Sequence, residues 1–257
     1  MVASDLAKSA WVRPWERNPK SRARLFCVPY AGGTAHAYES WQRRLPEWVD
    51  VCAVQPPGRA ERFHELPFTS LLELVEAAAR ALRPFLDLPF AFFGHSVGAL
   101  ISFELAHYIQ REYQLTPSLL VASGCAAPQL PLLKLGTYDS PEPEFLANVY
   151  RLNGTPKQIY EDSELLHLMV PLLRADFQMY QTYDYRESVP LECPILALGG
   201  LQDDLINRCS LEAWRLQTRS KFAVIMFPGD HFFIQSVPEL VLEAISSSLC
   251  ANFRFGN

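Results

Sequence analysis

The chain has 257 residues, 49% of them hydrophobic, and a formal net charge of −5. That length and apolar content suffice for a well-buried core, most simply one α/β domain spanning 1–257. The mild acidity excludes nucleic-acid binding through a global basic field, and no apolar run approaches the roughly 18 residues of a membrane span.

Residues 1–20 mix Trp11, Pro14, Trp15 and charges, and read as an N-terminal extension laid on the domain surface. They contain no apolar h-region, so no signal peptide is evident. Segment 24–29 then reads as a buried strand, 37–45 as helical, and 49–55 as a strand stopped by Pro56-Pro57-Gly58. In 70–86 the apolar positions Leu71, Leu72, Leu74, Val75, Ala78, Ala79 and Leu82 have helix spacing. Segment 90–93 is a strand, 96–110 a helix and 119–123 a strand. Nearly continuous apolar strands alternating with helices predict an α/β architecture, a mostly parallel central sheet covered on both faces.

The alternation stops at 126–185, which is helical and interrupted by Pro128, Pro131, Pro141, Pro143 and Pro156. This pattern predicts a helical lid inserted into the fold. Strands return at 194–198 and 222–227, and a last helix covers 238–249. The six cysteines are scattered singly with no C-x-x-C pair, so zinc and thioredoxin readings lack support. No metal and no cofactor is expected, and the setting is expected to be reducing and cytoplasmic.

Gly94-His95-Ser96-Val97-Gly98 sits between the strand at 90–93 and the following helix. Strand, G-x-S-x-G, helix is the setting of a nucleophile elbow, and it makes Ser96 the candidate nucleophile. A serine hydroxyl is a weak nucleophile and needs a positioned base. His231 follows the strand at 222–227, and Asp203 follows the strand ending in Leu198-Gly199-Gly200. Both are expected at the C-terminal edge of the sheet, where the elbow also points. His231 would take the Ser96 proton, and Asp203 would fix the imidazole tautomer. Asp204 is the adjacent rival for the acid, and loop position favours Asp203. The oxyanion needs two donors: the Val97 N–H and, from the loop Pro29-Tyr30-Ala31-Gly32-Gly33, the Ala31 N–H. His95 is expected to pack or hydrogen-bond near the site; His36, His64, His107 and His167 have no evident catalytic partner.

Taken together, the motifs resemble the type II thioesterases, the stand-alone α/β-hydrolases that accompany polyketide synthases and nonribosomal peptide synthetases. The likeness runs from Leu25 to the C-terminus. It includes Pro29-Tyr30-Ala31-Gly32-Gly33, Gln55-Pro56-Pro57-Gly58-Arg59, the elbow, Asn153-Gly154-Thr155-Pro156, Leu173-Arg174-Ala175-Asp176-Phe177, Gly199-Gly200-Leu201-Gln202-Asp203 and Gly229-Asp230-His231-Phe232-Phe233. Val97 stands where relatives usually have Met, which leaves the backbone donor unaffected. Relatives often have proline after the triad aspartate, which again favours Asp203.

The resemblance implies hydrolysis of acyl groups from the phosphopantetheine thiol of carrier proteins, clearing units that block a synthase. It implies an acylated carrier protein as partner, with Arg43, Arg44, Arg59 and Arg62 as candidates for meeting an acidic carrier domain. A monomer is the default expectation. Leu130, Leu132, Leu133, Phe145, Leu146, Leu152, Leu166, Leu168, Leu172 and Leu173 are candidates to line an acyl chamber or to pack the lid. Arg174 and Asp176 can form a structural ion pair or line the entrance. Release of medium-chain fatty acids, hydrolysis of acyl-coenzyme A or free esters, and acyl transfer use the same triad. A non-catalytic carrier-binding protein is the reading from another class, and it would be expected to have lost a triad member.

Overall fold

The computed structural model describes residues 10–14, 19–132, 136–152 and 162–253. Most of the expected N-terminal extension, Leu133 and the segment Asn153-Gly154-Thr155-Pro156 lie outside the described residues. Among the described residues, no helix is long and apolar enough to cross a membrane.

Seven strands form one sheet in the order β1-β3-β2-β4-β5-β6-β7. They are β1 (Val12–Pro14), β2 (Ala23–Val28), β3 (Val49–Val54), β4 (Phe90–His95), β5 (Leu120–Ser123), β6 (Ile195–Gly200) and β7 (Phe222–Phe227). Every neighbouring pair is parallel except β1 with β3. Every residue of β2, β3 and β4 is buried, as expected for strands covered on both faces. The pleat divides their side chains between two cores. Phe26, Phe90 and Phe92 enter one, with Leu25, Ala91 and Phe93 in the other.

The first core is closed by α1 (Leu71–Leu82) and α2 (Val97–Tyr113). Ser70 caps α1 by accepting from the Glu73 N–H, and the helix buries Leu71, Leu74, Val75, Ala78, Ala79 and Leu82, while Leu72, also expected on the apolar face, is exposed. The second core is closed by α7 (Pro238–Asn252) and by the segment Ala35–Arg43. That segment, expected to be helical over 37–45, is a 3₁₀ helix. Its buried residues Ala35, Tyr38 and Trp41 recur every third position, the period at which a 3₁₀ turn stacks side chains. Within the expected N-terminal extension, residues 12–14 form β1, which pairs with the open edge of β3.

Between β5 and β6 the chain leaves the sheet and forms α3 (Glu142–Arg151) and α4 (Ser163–Gln181). Phe145 and Val149 of α3 pack on Leu173 and Phe177 of α4 in a small core of their own. Two short α-helices follow the last strands, α5 (Arg208–Glu212) after β6 and α6 (Phe233–Ser236) after β7.

Candidate active site

The parallel register brings the carboxyl ends of β2, β4, β5 and β6 level. Val28 pairs with Gly94, His95 with Ser123, and Ser123 with Leu198. Ser96 follows β4 directly and donates its N–H to Ser123 O at 2.8 Å. Its backbone sits at φ 54°, ψ −127°, a region that side chains rarely adopt. The flanking glycines are required by close approach. A Cβ on Gly94 would lie 2.0 Å from Gly98 O, and one on Gly98 would lie 2.4 Å from Val28 O. No larger residue fits where strand, turn and helix meet so tightly.

The loops after β6 and β7 are laced together by backbone hydrogen bonds. Leu201 N–H donates to Phe227 O and Gln202 N–H to Gly229 O. This lacing brings Asp203 and His231 side by side, with His231 Nδ1 2.8 Å from Asp203 Oδ2. The other carboxylate oxygen, Oδ1, accepts the Leu205 and Ile206 N–H groups at 2.9 and 3.1 Å. The Asp203 side chain is fully buried, whereas Asp204 is exposed. A carboxylate with both oxygens engaged is fixed in orientation, and it fixes the imidazole in turn.

Ser96 and His231 line one cavity. Ala31 and Val97 line it as well. Val97 is the first residue of α2, so its N–H has no intrahelical acceptor. Among the described residues none accepts the Ala31 N–H. The rest of the wall is mainly apolar and comes largely from the insertion: Val149, Leu152, Leu173, Phe177 and Tyr180. Among the described residues of the apolar set proposed from the sequence, Leu152 and Leu173 reach the cavity. Leu168 is instead exposed, and Phe145 packs between helices. Cys125 is also on the wall, but burial pushes its thiol up to about 12, so it stays protonated and is no rival nucleophile.

His95 lies beneath the site, with its ring centroid 5.2 Å from that of His231. Its Nδ1 is 3.0 Å from Ser123 Oγ. Burial, aided by the neighbouring His231, holds its imidazole well below the ordinary histidine value. A neutral His95 adds no charge against an imidazolium at His231. His107, on α2, is lowered to about 4 by burial. Histidines lowered in the folded state bind protons more readily when unfolded, so stability is full above about pH 6.5 and falls as pH drops below it. Each contributes about 1.4 kcal/mol per pH unit in that range. The buried Glu104 carboxyl is raised and works in the opposite sense. Urea midpoints at pH 7.5 and 5.5 should differ by about 2 kcal/mol in stability, less for His107→Gln. A flat profile from both proteins would contradict buried neutral imidazoles.

Two of the expected carrier-facing arginines are buried in the protein. Arg59 makes a two-pronged ion pair with Asp176 of α4. Arg62 pairs with Glu65, donates to Gln55 O and lies over the Trp11 ring. Arg44 meets Glu239 at the surface. Charge alone suggested exposure, but Asp176, distant in sequence, draws Arg59 inward, and Gln55 O with the Trp11 ring does so for Arg62. Arg174 and Asp176 do not pair with each other. Asp176 forms a buried ion pair with Arg59 and also lines the cavity, while Arg174 donates to Tyr138 O and stacks on Phe145.

A thioesterase-domain model matches residues 23–249. The chain belongs to the thioesterase family. It is 43% identical over 232 residues to the gramicidin S biosynthesis protein GrsT of Aneurinibacillus migulanus, covering 90% of this chain and 91% of that one. Among solved structures, the RedJ thioesterase of the prodiginine pathway in Streptomyces coelicolor superposes with a TM-score of 0.86 at 33% identity, over 95% of each chain. The type II thioesterase BorB from the borrelidin cluster gives 0.84 at 32% identity, over 93% of this chain and 97% of that one. The likeness to type II thioesterases seen in the sequence is thus borne out, and the architecture is the α/β-hydrolase fold.

Proposed function

We propose that this thioesterase hydrolyses acyl groups from the phosphopantetheine thiol of carrier proteins through Ser96, His231 and Asp203. The observation that carries the reading is the 2.8 Å contact between His231 and Asp203 beside a cavity that Ser96 also lines. Ser96 Oγ attacks the thioester carbonyl carbon while His231 accepts its proton. Asp203, held by the Leu205 and Ile206 N–H groups, stabilises the imidazolium. The Ala31 and Val97 N–H groups receive the oxyanion, each being worth about 3 kcal/mol in such sites. The C–S bond then breaks, and the thiol takes the proton from His231. Water, deprotonated by the same imidazole, attacks the acyl-serine and releases the acid and free Ser96.

The insertion between β5 and β6 is read as a lid. Val149 and Leu152 from the α3 side, with Leu173 and Phe177 from α4, would form the acyl wall. A carrier delivers its acyl group on a long arm, so lid movement would gate entry. The triad and both oxyanion donors are complete within one chain, so the proposed chemistry needs no second copy. A cytoplasmic setting accords with six unpaired cysteines.

The carrier is tested by comparing one short acyl group on a carrier protein and on coenzyme A. A kcat/KM at least tenfold higher for the carrier form is expected. Equal values would assign the enzyme to free acyl-coenzyme A instead.

A further inference from the structure

The loop after β2 is a tight turn. Gly33 N–H donates to Tyr30 O at 2.8 Å, and Gly32, at the third position, has φ +71° while Ala31 keeps a negative φ. That combination is a type II turn, in which the central peptide between Ala31 and Gly32 is flipped relative to the commoner type I. The flipped peptide aims the Gly32 N–H at Asp176 Oδ2, 2.7 Å away on α4. The same oxygen accepts from Arg59 Nη1 at 3.0 Å, and Oδ1 accepts from Arg59 Nη2 at 2.8 Å. Arg59 Nη1 also donates to Gly33 O at 3.0 Å. Four polar groups of the turn, Tyr30 C=O, Gly32 N–H, Gly33 N–H and Gly33 C=O, are therefore fixed. The Ala31 N–H between them is left without an acceptor among the described residues.

Asp176 is 1% exposed and Arg59 5%. A buried carboxylate with an ionic partner is a directional acceptor with little competition from water. The packing agrees with this role. A Cβ on Gly32 would lie 2.6 Å from Leu173 Cδ2, so α4 rests directly on the turn. The reach is long in sequence, because Asp176 and Gly32 are 144 residues apart.

We propose that Asp176 is a positioning residue for the oxyanion loop: with Arg59 as its counter-ion, it holds the turn in the form that leaves the Ala31 N–H free for the substrate oxyanion. Because Asp176 rides on α4, the helix that forms part of the acyl wall also presets the oxyanion donor. Displacing α4 removes the acceptor for Gly32 and lets the turn shift, carrying the Ala31 N–H away from the elbow, so an open lid and a formed oxyanion hole are coupled against each other. The proposal rests on Ser96 being the nucleophile and on Ala31 supplying a donor.

The test uses the full chain with an acyl-N-acetylcysteamine thioester, and two inhibitors of matched chain length. An alkyl trifluoromethyl ketone adds to the serine as an oxyanion, whereas the corresponding carboxamide binds without adding. Asp176→Ala should lower kcat about a hundredfold with KM within about threefold. Its affinity for the trifluoromethyl ketone should fall in step with kcat/KM, while its affinity for the carboxamide stays unchanged. Asp176→Asn keeps an acceptor for Gly32 but loses the charge facing Arg59. It should fold and show about a tenfold loss confined to the ketone, and it carries the test if the alanine variant does not fold. Equal weakening of both inhibitors, or activity lost only in proportion to the unfolded fraction, would reduce Asp176 to a structural ion pair and overturn the proposal. A wild-type enzyme that prefers coenzyme A to the carrier would change the substrate assignment and leave these outcomes as they stand.

Discussion

Ser96→Ala is expected to lower kcat/KM on acyl thioesters by about 10⁴-fold or more, with the thermal midpoint essentially unchanged. Alanine removes only the hydroxyl. The Cβ remains at φ 54°, so the backbone strain of the elbow remains too. Strain of this kind costs about 1–3 kcal/mol and persists only where the surroundings enforce it. Here Gly94 and Gly98 permit contacts that lock the turn, and Ser96 N–H is tied to Ser123 O. Ser96→Gly separates the two effects. It should be as inactive as the alanine variant yet more stable by about 1 kcal/mol, since relief of strain outweighs the added freedom of the unfolded chain. Steady-state assays with thermal melts of the three proteins check this. Activity in Ser96→Ala above about one per cent of wild type would place the nucleophile elsewhere.

The elements legible in the sequence are those whose burial repeats locally. The run at 90–93 announces β4 because both faces of that strand are covered, and Leu71 to Leu82 announces α1 through its period. The elbow is legible for the same reason, since its glycines answer to steric contacts within a few residues and with the neighbouring strand. What resists reading is decided by partners far along the chain. Residues 12–14 become a strand only by pairing with β3, and their own composition, with a proline, argues against one. Arg59 looks like a surface charge until Asp176 is brought to it from α4. The cavity wall fails in the same way. Leu168 and Leu173 lie on one helix, yet one faces solvent and the other the cavity, and only the docking of α4 decides which. The 3₁₀ form of 35–43 was present in the spacing of Ala35, Tyr38 and Trp41, a period of three that passes for a helical one over so short a stretch.

The choice of acid carries the other large expectation. Asp203→Asn should lower kcat by about 10³–10⁴-fold, whereas Asp204→Asn should stay within about threefold of wild type. An asparagine at 203 has two ways to sit. With its carbonyl at the Oδ1 position it keeps both acceptor bonds, to the Leu205 and Ile206 N–H groups, and turns its NH₂ toward His231 Nδ1. The reverse orientation sets an NH₂ against two backbone donors in a buried site and abandons two hydrogen bonds to keep one. The first arrangement therefore wins, and it makes His231 Nδ1 an acceptor. The proton then sits on Nε2, where the imidazole can no longer take one from Ser96. Because the loop keeps its hydrogen bonds, the thermal midpoint should move little, which sets this variant apart from one that simply unfolds. Asp204 is exposed, and its neutralisation disturbs no buried contact. A larger loss from Asp204→Asn than from Asp203→Asn would transfer the role to Asp204 and require the loop to rearrange before catalysis.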